Sequence, residues 1–198
     1  MPALTQANDL VRMRNVAASE CGALMDKHPY STPTLIFDRL TSPGLGVVEQ
    51  TEPMRLGSYM EPYIARYTAQ RLGLRLRANA RTLEHKRVNL CATPDYYVLG
   101  HDMLVEVKLS SKMYVWTEDT LQPYIEWQAR AQMAVTDREA VIISALVGSQ
   151  LHQVTVLRDE EKEEALLTAV DRFWHENVLA GVRPLAPDTT RIIARIEA

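Results

Sequence analysis

Two acids and a lysine lie close together between residues 94 and 108. Asp95 follows a proline, a turn signal comes at residues 100–102, and Glu106 and Lys108 are two apart in a strand-like run. Side chains alternate along a strand, so Glu106 and Lys108 point to one face, and pairing across the hairpin can bring Asp95 beside Glu106. Charges gathered at a sheet surface are costly to desolvate. A divalent metal between the carboxylates would offset that cost, and magnesium or manganese prefers oxygen ligands.

The composition bounds the class of protein. The chain has 198 residues, of which 46% are hydrophobic and 24% charged, as in ordinary globular proteins. No apolar run approaches the ~20 residues that cross a bilayer, and the N-terminus does not look like a signal peptide. Cys21 and Cys91 lack the spacing of a zinc site or disulfide framework. This predicts that the protein resides in the reducing cytoplasm. A net charge of −3 argues against a protein that coats nucleic acid by bulk positive charge.

Hydrophobic periodicity and turn residues predict the elements that must position these groups. Helices are predicted at 9–26, 34–40, 56–72, 120–136 and 160–179, and strands within 74–109 (two or three), at 141–147 and at 154–157. This order predicts an α/β (α+β) fold with a central mixed β-sheet flanked by helices. We expect a single domain over 1–198, with an N-terminal helical segment (1–55), a catalytic core (56–158) and a C-terminal helix (159–198).

Two predicted helices carry polar side chains that could reach the strand residues. Glu61 is near the start of the 56–72 helix, and Tyr124, Gln128 and Gln132 form an i, i+4, i+8 row on the 120–136 helix. Each has a simpler explanation in isolation. An early glutamate complements the helix dipole, and a glutamine row is typical of a solvated polar face.

Together these motifs resemble the PD-(D/E)xK nuclease superfamily, and within it the phage lambda exonuclease and YqaJ-type viral recombinase (alkaline exonuclease) group. The motifs, in order, are Gly57 to Glu61, Pro94-Asp95, Glu106-Val107-Lys108 and the glutamine-bearing helix. The opening segment is also similar, with an arginine and a serine seven apart and then His28-Pro29-Tyr30-Ser31-Thr32-Pro33. The resemblance covers about residues 10–136 and depends on the succession of motifs.

The resemblance implies a restriction-endonuclease-like core with a metal centre. Asp95 and Glu106 would ligate Mg²⁺, or Mn²⁺, with the backbone carbonyl of Val107. Glu61 would serve a second metal or its waters. Lys108 would orient the attacking water and stabilise its hydroxide-like form.

Further residues are assigned to substrate by the same resemblance. Gln128 would support the lysine or the scissile phosphate. Arg12 and Ser19 would hold a terminal 5′-phosphate, a role for which a cation and a hydroxyl donor are suited, and Arg14 is the alternative to Arg12. Met54 matches an apolar wedge that splits the end of the duplex.

The implied activity is that of a 5′→3′ exonuclease, which degrades one strand of double-stranded DNA to 5′-mononucleotides. The 3′ overhangs would serve phage-type recombination by strand annealing. The resemblance also implies a homotrimeric ring around DNA, a single-strand annealing protein as partner, and a phage or prophage gene expressed in a bacterial host's cytoplasm. The alternatives are an endonuclease or junction resolvase of the same superfamily, or a non-catalytic DNA-end-binding module.

The chain departs from the family pattern at several points. Tyr96 stands where glycine usually follows Pro-Asp, and Gln-x-Gln is replaced by glutamine at 128 and Arg130 two residues later. A further family acid upstream has no clear counterpart, although Glu84 and His85 lie in that region.

Other signals point to ordinary structural roles. Tyr59, Tyr63 and Tyr67 are predicted to pack the 56–72 helix rather than to stack on bases. The charge run at 159–164 is typical of a solvated helix start. Neither a nucleophile elbow nor a Walker A or dinucleotide glycine motif occurs in the sequence, and the five histidines share no metal-ligand spacing.

Overall fold

The structure, a computed structural model, describes residues 6–42, 51–110, 116–117 and 120–185. Its helices are α1 (Gln6–Met13), α2 (Cys21–Leu24), α3 (Pro33–Thr41), α4 (Glu52–Leu72), α5 (Pro123–Thr136) and α6 (Glu160–Phe173). Its strands are β1 (Val16–Ala17), β2 (Leu76–Ala78), β3 (Leu83–Glu84), β4 (Leu90–Ala92), β5 (Tyr96–Val98), β6 (Met103–Ser110), β7 (Ala140–Val147) and β8 (Gln150–Leu157). A 3₁₀ turn (Ala18–Glu20) precedes α2, and a π-helical stretch (Trp174–Leu179) extends α6.

A mixed five-stranded sheet forms the centre of the fold, in the order β2-β5-β6-β7-β8. Strands β6 and β7 are parallel, and the other neighbours are antiparallel. A second, three-stranded sheet has the order β1-β4-β3. The predicted α/β class with a central mixed sheet flanked by helices is confirmed.

Two helices cover opposite faces of the central sheet. Ile64 and Ala65 of α4 pack in one apolar cluster, and Ala129 and Met133 of α5 pack in the cluster on the other face. The far side of α5, including Ala131, lies against a third cluster formed with α2, α3 and α6. Helix α5 is therefore packed on two sides, so polar side chains on it are buried as well as apolar ones.

Several predicted elements differ in extent from the observed ones. The predicted helix at 9–26 is interrupted by β1, which pairs in parallel with β4, about seventy positions along the chain. Five strands, rather than two or three, lie in the region predicted as 74–109. Three of them (β2, β5 and β6) belong to the central sheet, and β3 and β4 belong to the smaller sheet. Helix α4 begins at Glu52 rather than near 56, since Pro53 is tolerated in a first helical turn.

The remaining predictions about organisation have mixed outcomes. The helices predicted at 34–40 and 120–136 correspond to α3 and α5, and the strands predicted at 141–147 and 154–157 fall within β7 and β8. No helix among the described residues is both long and apolar enough to span a bilayer. The single-domain division stays a prediction, and the last part of its C-terminal segment, 186–198, lies outside the described residues.

Candidate active site

The site forms where β6 extends beyond its hairpin partner. Strand β5 begins at Tyr96, which pairs with Val105, so the following residues of β6 have no β5 neighbour. The backbone N–H of Val107 instead donates to Asp95 Oδ2 at 2.8 Å. Gly100 closes the hairpin with φ 83°, a conformation that glycine adopts at little cost. The predicted convergence of Asp95 and Glu106 is therefore observed, with this hydrogen bond fixing Asp95.

Glu106, Lys108 and Gln128 form a closed hydrogen-bonded triangle. Lys108 Nζ donates to Glu106 Oε1 at 2.7 Å and to Gln128 Oε1 at 3.1 Å. Gln128 Nε2 in turn donates to Glu106 Oε1 at 2.6 Å. Because α5 covers this face of the sheet, Gln128 reaches the two strand residues directly. The predicted partnership of Gln128 with the lysine is thus seen in the structure.

Gln132 completes the environment of Glu106 and was not assigned a functional role from the sequence. Its side chain is only 1% exposed, and its Nε2 donates to Glu106 Oε2 at 2.6 Å. The solvated polar face predicted for this row is therefore wrong at Gln132. The available signal was the small residues Ala129, Ala131 and Ala134, which indicate a helix packed closely on both sides.

Glu61 reaches the same cleft from the other face of the sheet. It lies more than two turns inside α4, so the helix-dipole explanation does not hold. Burial raises the pKa of Glu61, the nearby Glu106 raises it further, and a hydrogen bond with Tyr96 acts in the opposite direction. Tyr96, the departure from the family's glycine, thus provides a partner for a candidate metal ligand.

Negative charge is concentrated in this cleft. Burial raises the pKa of Asp95 well above its ordinary value, and the carboxylates of Glu106 and Glu61 raise it further. The hydrogen bond from the Val107 N–H and the charge of Lys108 act in the opposite direction and lower this pKa. Burial lowers the pKa of Lys108, but its attraction to Glu106 outweighs this and leaves the pKa raised. Lys108 therefore keeps its positive charge beside Glu106 at neutral pH.

The cleft has a volume of about 430 Å³ and is lined by both polar and apolar residues. Asp95, Glu106 and Lys108 line it from the sheet, and Glu61 lines it from α4. Met54, which is 46% exposed, lies among its lining residues near the start of α4. This position agrees with contact to a bound substrate, although the wedge role stays a prediction.

The donor set fits a hard divalent cation. Carboxylates of Asp95, Glu106 and Glu61 face one cleft, and such oxygen donors are those that Mg²⁺ and Mn²⁺ prefer. Within the described part of the chain, no three acid, histidine or cysteine side chains are already grouped closely enough to hold a metal. The Glu106 carboxylate is hydrogen-bonded to Lys108 and to the side-chain amides of Gln128 and Gln132. The ligand roles, including that of the Val107 carbonyl, stay predictions.

The residues predicted to bind a 5′-phosphate lie at the end of α1 and on the segment between α1 and α2. Arg12 is in the last turn of α1, and Arg14 and Ser19 are exposed. The backbone of Ser19 hydrogen-bonds with His28, whose ring centroid lies 4.9 Å from that of Tyr124, one turn before Gln128. This places Ser19 next to α5, the helix that carries Gln128. No contact tests the phosphate role of Arg12, Arg14 or Ser19, which stays a prediction.

Arg39 holds that segment in place and was missed from the sequence. Its guanidinium binds both carboxylate oxygens of Glu20 at 2.7 Å and donates to the carbonyls of Arg12 (2.6 Å) and Asn15 (3.0 Å). The partners are 19 to 27 residues away, so no local pattern indicates them.

The residues whose roles were open lie outside the cleft. Buried Arg130 donates to Glu126 Oε1 at 2.7 Å, in a different cavity near Lys162. Glu84 accepts from Asn15 Nδ2 at 2.8 Å, and His85 Nδ1 accepts from backbone N–H groups of its own turn. None of these residues lines the candidate site.

The tyrosines of α4 are exposed rather than packed. Tyr59 is 69% exposed, and Tyr63 and Tyr67 are each 53% exposed. The prediction that all three pack the helix against the core is wrong. The helix instead uses Ile64, Ala65 and the buried Thr68 for that contact.

Comparison with known proteins identifies the family. The model of the YqaJ-like viral recombinase domain matches residues 9–139. The chain belongs to this family. The YqaJ protein of Bacillus subtilis (strain 168) is 22% identical over 179 residues, which make up 87% of this chain and 56% of that protein. The YqaJ-family chain described here therefore spans about half the length of this curated relative.

Solved structures share the fold of this YqaJ-family chain. The alkaline exonuclease LHK-Exo from Laribacter hongkongensis is 18% identical, with a TM-score of 0.70 over 98% of this chain and 100% of that one. Its complex with dAMP gives a TM-score of 0.72 at 19% identity over the same shares. A phage-related exonuclease from Haemophilus somnus gives 0.65 at 14% identity, over 84% of this chain and 96% of that one. The resemblance to the alkaline exonuclease group is thereby confirmed at the level of family and fold.

Proposed function

We propose that this YqaJ-family chain is a metal-dependent 5′→3′ exonuclease that acts on double-stranded DNA ends. The observation that carries the proposal is the convergence of Asp95, Glu106 and Lys108 in one cleft, with Gln128 hydrogen-bonded to Glu106 and Lys108. The fold shared with proteins named as exonucleases supports the same class of reaction.

Each residue of the cleft has a distinct role in the proposed hydrolysis. Asp95 and Glu106 would hold a divalent metal, Mg²⁺ or Mn²⁺, with the Val107 carbonyl, while Glu61 would serve a second ion or its waters. A bound divalent cation lowers the pKa of coordinated water and stabilises charge on phosphate oxygens. The ammonium of Lys108 would orient the attacking water, and Gln128 holds that ammonium at 3.1 Å.

The direction of degradation is proposed from the segment beside the site. Arg12 and Ser19 offer a cation and a hydroxyl suited to a terminal 5′-phosphate. Ser19 is linked to α5 through His28, which contacts Tyr124, so a phosphate bound at Ser19 would lie near the helix that carries Gln128. The products would be 5′-mononucleotides and a 3′ overhang, and Met54 would separate the strands.

The assembly and partners are also proposals. A subunit of net charge −3 has little bulk attraction for DNA, and a homotrimeric ring around the duplex would retain the substrate without it. A 3′ overhang is the substrate for strand annealing, so a single-strand annealing protein is the proposed partner. A phage or prophage setting in a bacterial cytoplasm agrees with the viral recombinase family.

The first test compares linear duplex DNA with and without 5′-phosphates and a covalently closed circle, each with and without Mg²⁺. We expect mononucleotides from the 5′-phosphorylated linear form only, and only with metal. The matched variant Arg12→Gln should reduce the preference for the phosphorylated end and leave cleavage chemistry in place.

Each alternative gives a different result in the same assay. Cleavage of the closed circle would favour an endonuclease or junction resolvase. Binding of DNA ends by the trimer or monomer with no cleavage under any metal would favour a non-catalytic end-binding module. Release of nucleotides from the 3′ end would contradict the proposed direction.

A further inference from the structure

Glu106 receives three side-chain donors, an unusual number for one buried carboxylate. Lys108 Nζ (2.7 Å) and Gln128 Nε2 (2.6 Å) both donate to Oε1, and Gln132 Nε2 (2.6 Å) donates to Oε2. An ionised carboxylate offers about four acceptor positions, two on each oxygen. Among the described residues, these donors occupy both positions on Oε1 and one on Oε2, which leaves one further position on Oε2.

Within the described part of the chain, the side chain of Gln132 makes no hydrogen bond other than the one to Glu106. It is 1% exposed, and its Oε1 is buried without a hydrogen-bond partner there. An apolar side chain of similar length would fill the same space without an unsatisfied oxygen. Among the residues that the structure describes, Glu106 is thus the one favourable polar partner of the Gln132 side-chain amide.

We propose that Gln132 is a positioning residue that holds the Glu106 carboxylate in the orientation in which it would bind the metal. By donating to Oε2 from the α5 side, Gln132 fixes the rotation of the Glu106 carboxylate, which lines the cleft. Lys108 and Gln128 hold the other oxygen, Oε1. This inference rests on the proposed function and assigns to the site a residue that acts through Glu106.

The test measures metal binding in the absence of DNA. Wild type and Gln132→Met are titrated with Mg²⁺ and with Mn²⁺, and the rise in unfolding temperature gives the apparent affinity. Removing a group that orients a metal ligand typically lowers metal affinity by about 10–100-fold. We expect a midpoint shifted by that factor in Gln132→Met. The metal-free unfolding temperature should fall somewhat, because the buried Oε2 of Glu106 loses a hydrogen-bond donor, although the unsatisfied oxygen of Gln132 is also removed.

Thr68→Val is the matched control for loss of a buried polar contact. Thr68 is fully buried and hydrogen-bonds with Ser144 Oγ at 2.6 Å, away from Glu106. This variant should lower the unfolding temperature and leave the metal midpoint at the wild-type value. If Gln132→Met does not fold, Gln132→Asn applies the same test, since its amide is one methylene too short to reach Glu106.

Two results would overturn the inference. One is a metal midpoint for the Gln132 variant within twofold of wild type, and the other is an equal shift in Thr68→Val, which would mean that any buried polar loss has this effect. A wild-type protein with no response to either metal would contradict the proposed function instead. The two failures are therefore distinguishable in one experiment.

Discussion

Glu106→Gln separates the metal-binding role of this residue from its structural role. Glutamine has the same shape, and its oxygen can still accept from Lys108 and Gln128 at the Oε1 position. Its new NH₂ group would face the Nε2 of Gln132, but the Oε1 of Gln132, which lacks a hydrogen-bond partner among the described residues, can accept after rotation of the amide. The hydrogen-bond network thus survives the substitution with no added unsatisfied group.

The expected cost in the metal-free protein is small. A hydrogen bond to a charged group contributes about 1.5–3 kcal/mol and a neutral one about 0.5–1.5, so weakening the contacts from Lys108, Gln128 and Gln132 costs about 1–1.5 kcal/mol each. Against this, the variant removes a buried charge whose repulsion raises the pKa of Asp95. The metal-free unfolding free energy should therefore stay within about 2 kcal/mol of wild type.

The metal response should differ strongly. At a metal concentration about 100 times Kd, binding stabilises the wild type by about 2.7 kcal/mol, which for a chain of this size raises Tm by roughly 5–10 °C. A hundredfold loss of affinity in Glu106→Gln leaves about 0.4 kcal/mol and a rise of roughly 1 °C. Thermal unfolding followed by circular dichroism, with and without Mg²⁺, measures both quantities. A rise in Tm equal to that of wild type would refute the reasoning, as would a metal-free loss above about 3 kcal/mol.

Three further substitutions test the rest of the site. Lys108→Met should slow cleavage by about 10²–10⁴-fold, with end binding in fluorescence anisotropy close to wild type, and a loss under tenfold would argue against its role. Arg39→Lys should lower the unfolding free energy by about 1–3 kcal/mol in urea titrations, because lysine cannot make the paired hydrogen bonds of Arg39 to both oxygens of Glu20. Unchanged stability would contradict the role of Arg39 in holding this segment. Gly22→Ala would place a Cβ 2.9 Å from Cα and Cβ of Tyr124, so we expect a loss of about 1–3 kcal/mol, and an unchanged urea midpoint would show that α2 can shift.

The hairpin residues of the site could be predicted because their arrangement is local. Asp95 and Glu106 are joined by a tight turn, and strand alternation alone puts Glu106 and Lys108 on one face. The observed pairing of Tyr96 with Val105 and the Glu106–Lys108 contact agree with that prediction. Gln128 was found through the family pattern, and its contacts with the strand residues are observed.

The other residues of the site could not be predicted because their contacts are nonlocal. Gln132 resembled a solvated residue on a polar row, and only the packing of α5 on two sides buries it. Tyr59, Tyr63 and Tyr67 had a helix-packing pattern, yet the stripe that packs is the narrower one of small and β-branched residues. Periodicity locates a helix but does not decide which of two adjacent faces is covered.

The late start of β5 explains how one cleft receives side chains from both faces of the sheet. Glu61 comes from the α4 side and Glu106 from the α5 side, and a continuous sheet would keep such side chains apart. Since β5 begins at Tyr96, the edge of β6 is open from Glu106 onward, and its Val107 N–H holds Asp95 at that edge. A strand that continued upstream from Tyr96 in register with β6 would use this N–H in the ladder and displace the Asp95 carboxylate. The proline before Asp95, which cannot donate to a ladder, helps to end the strand there, so the short β5 is a requirement of the site.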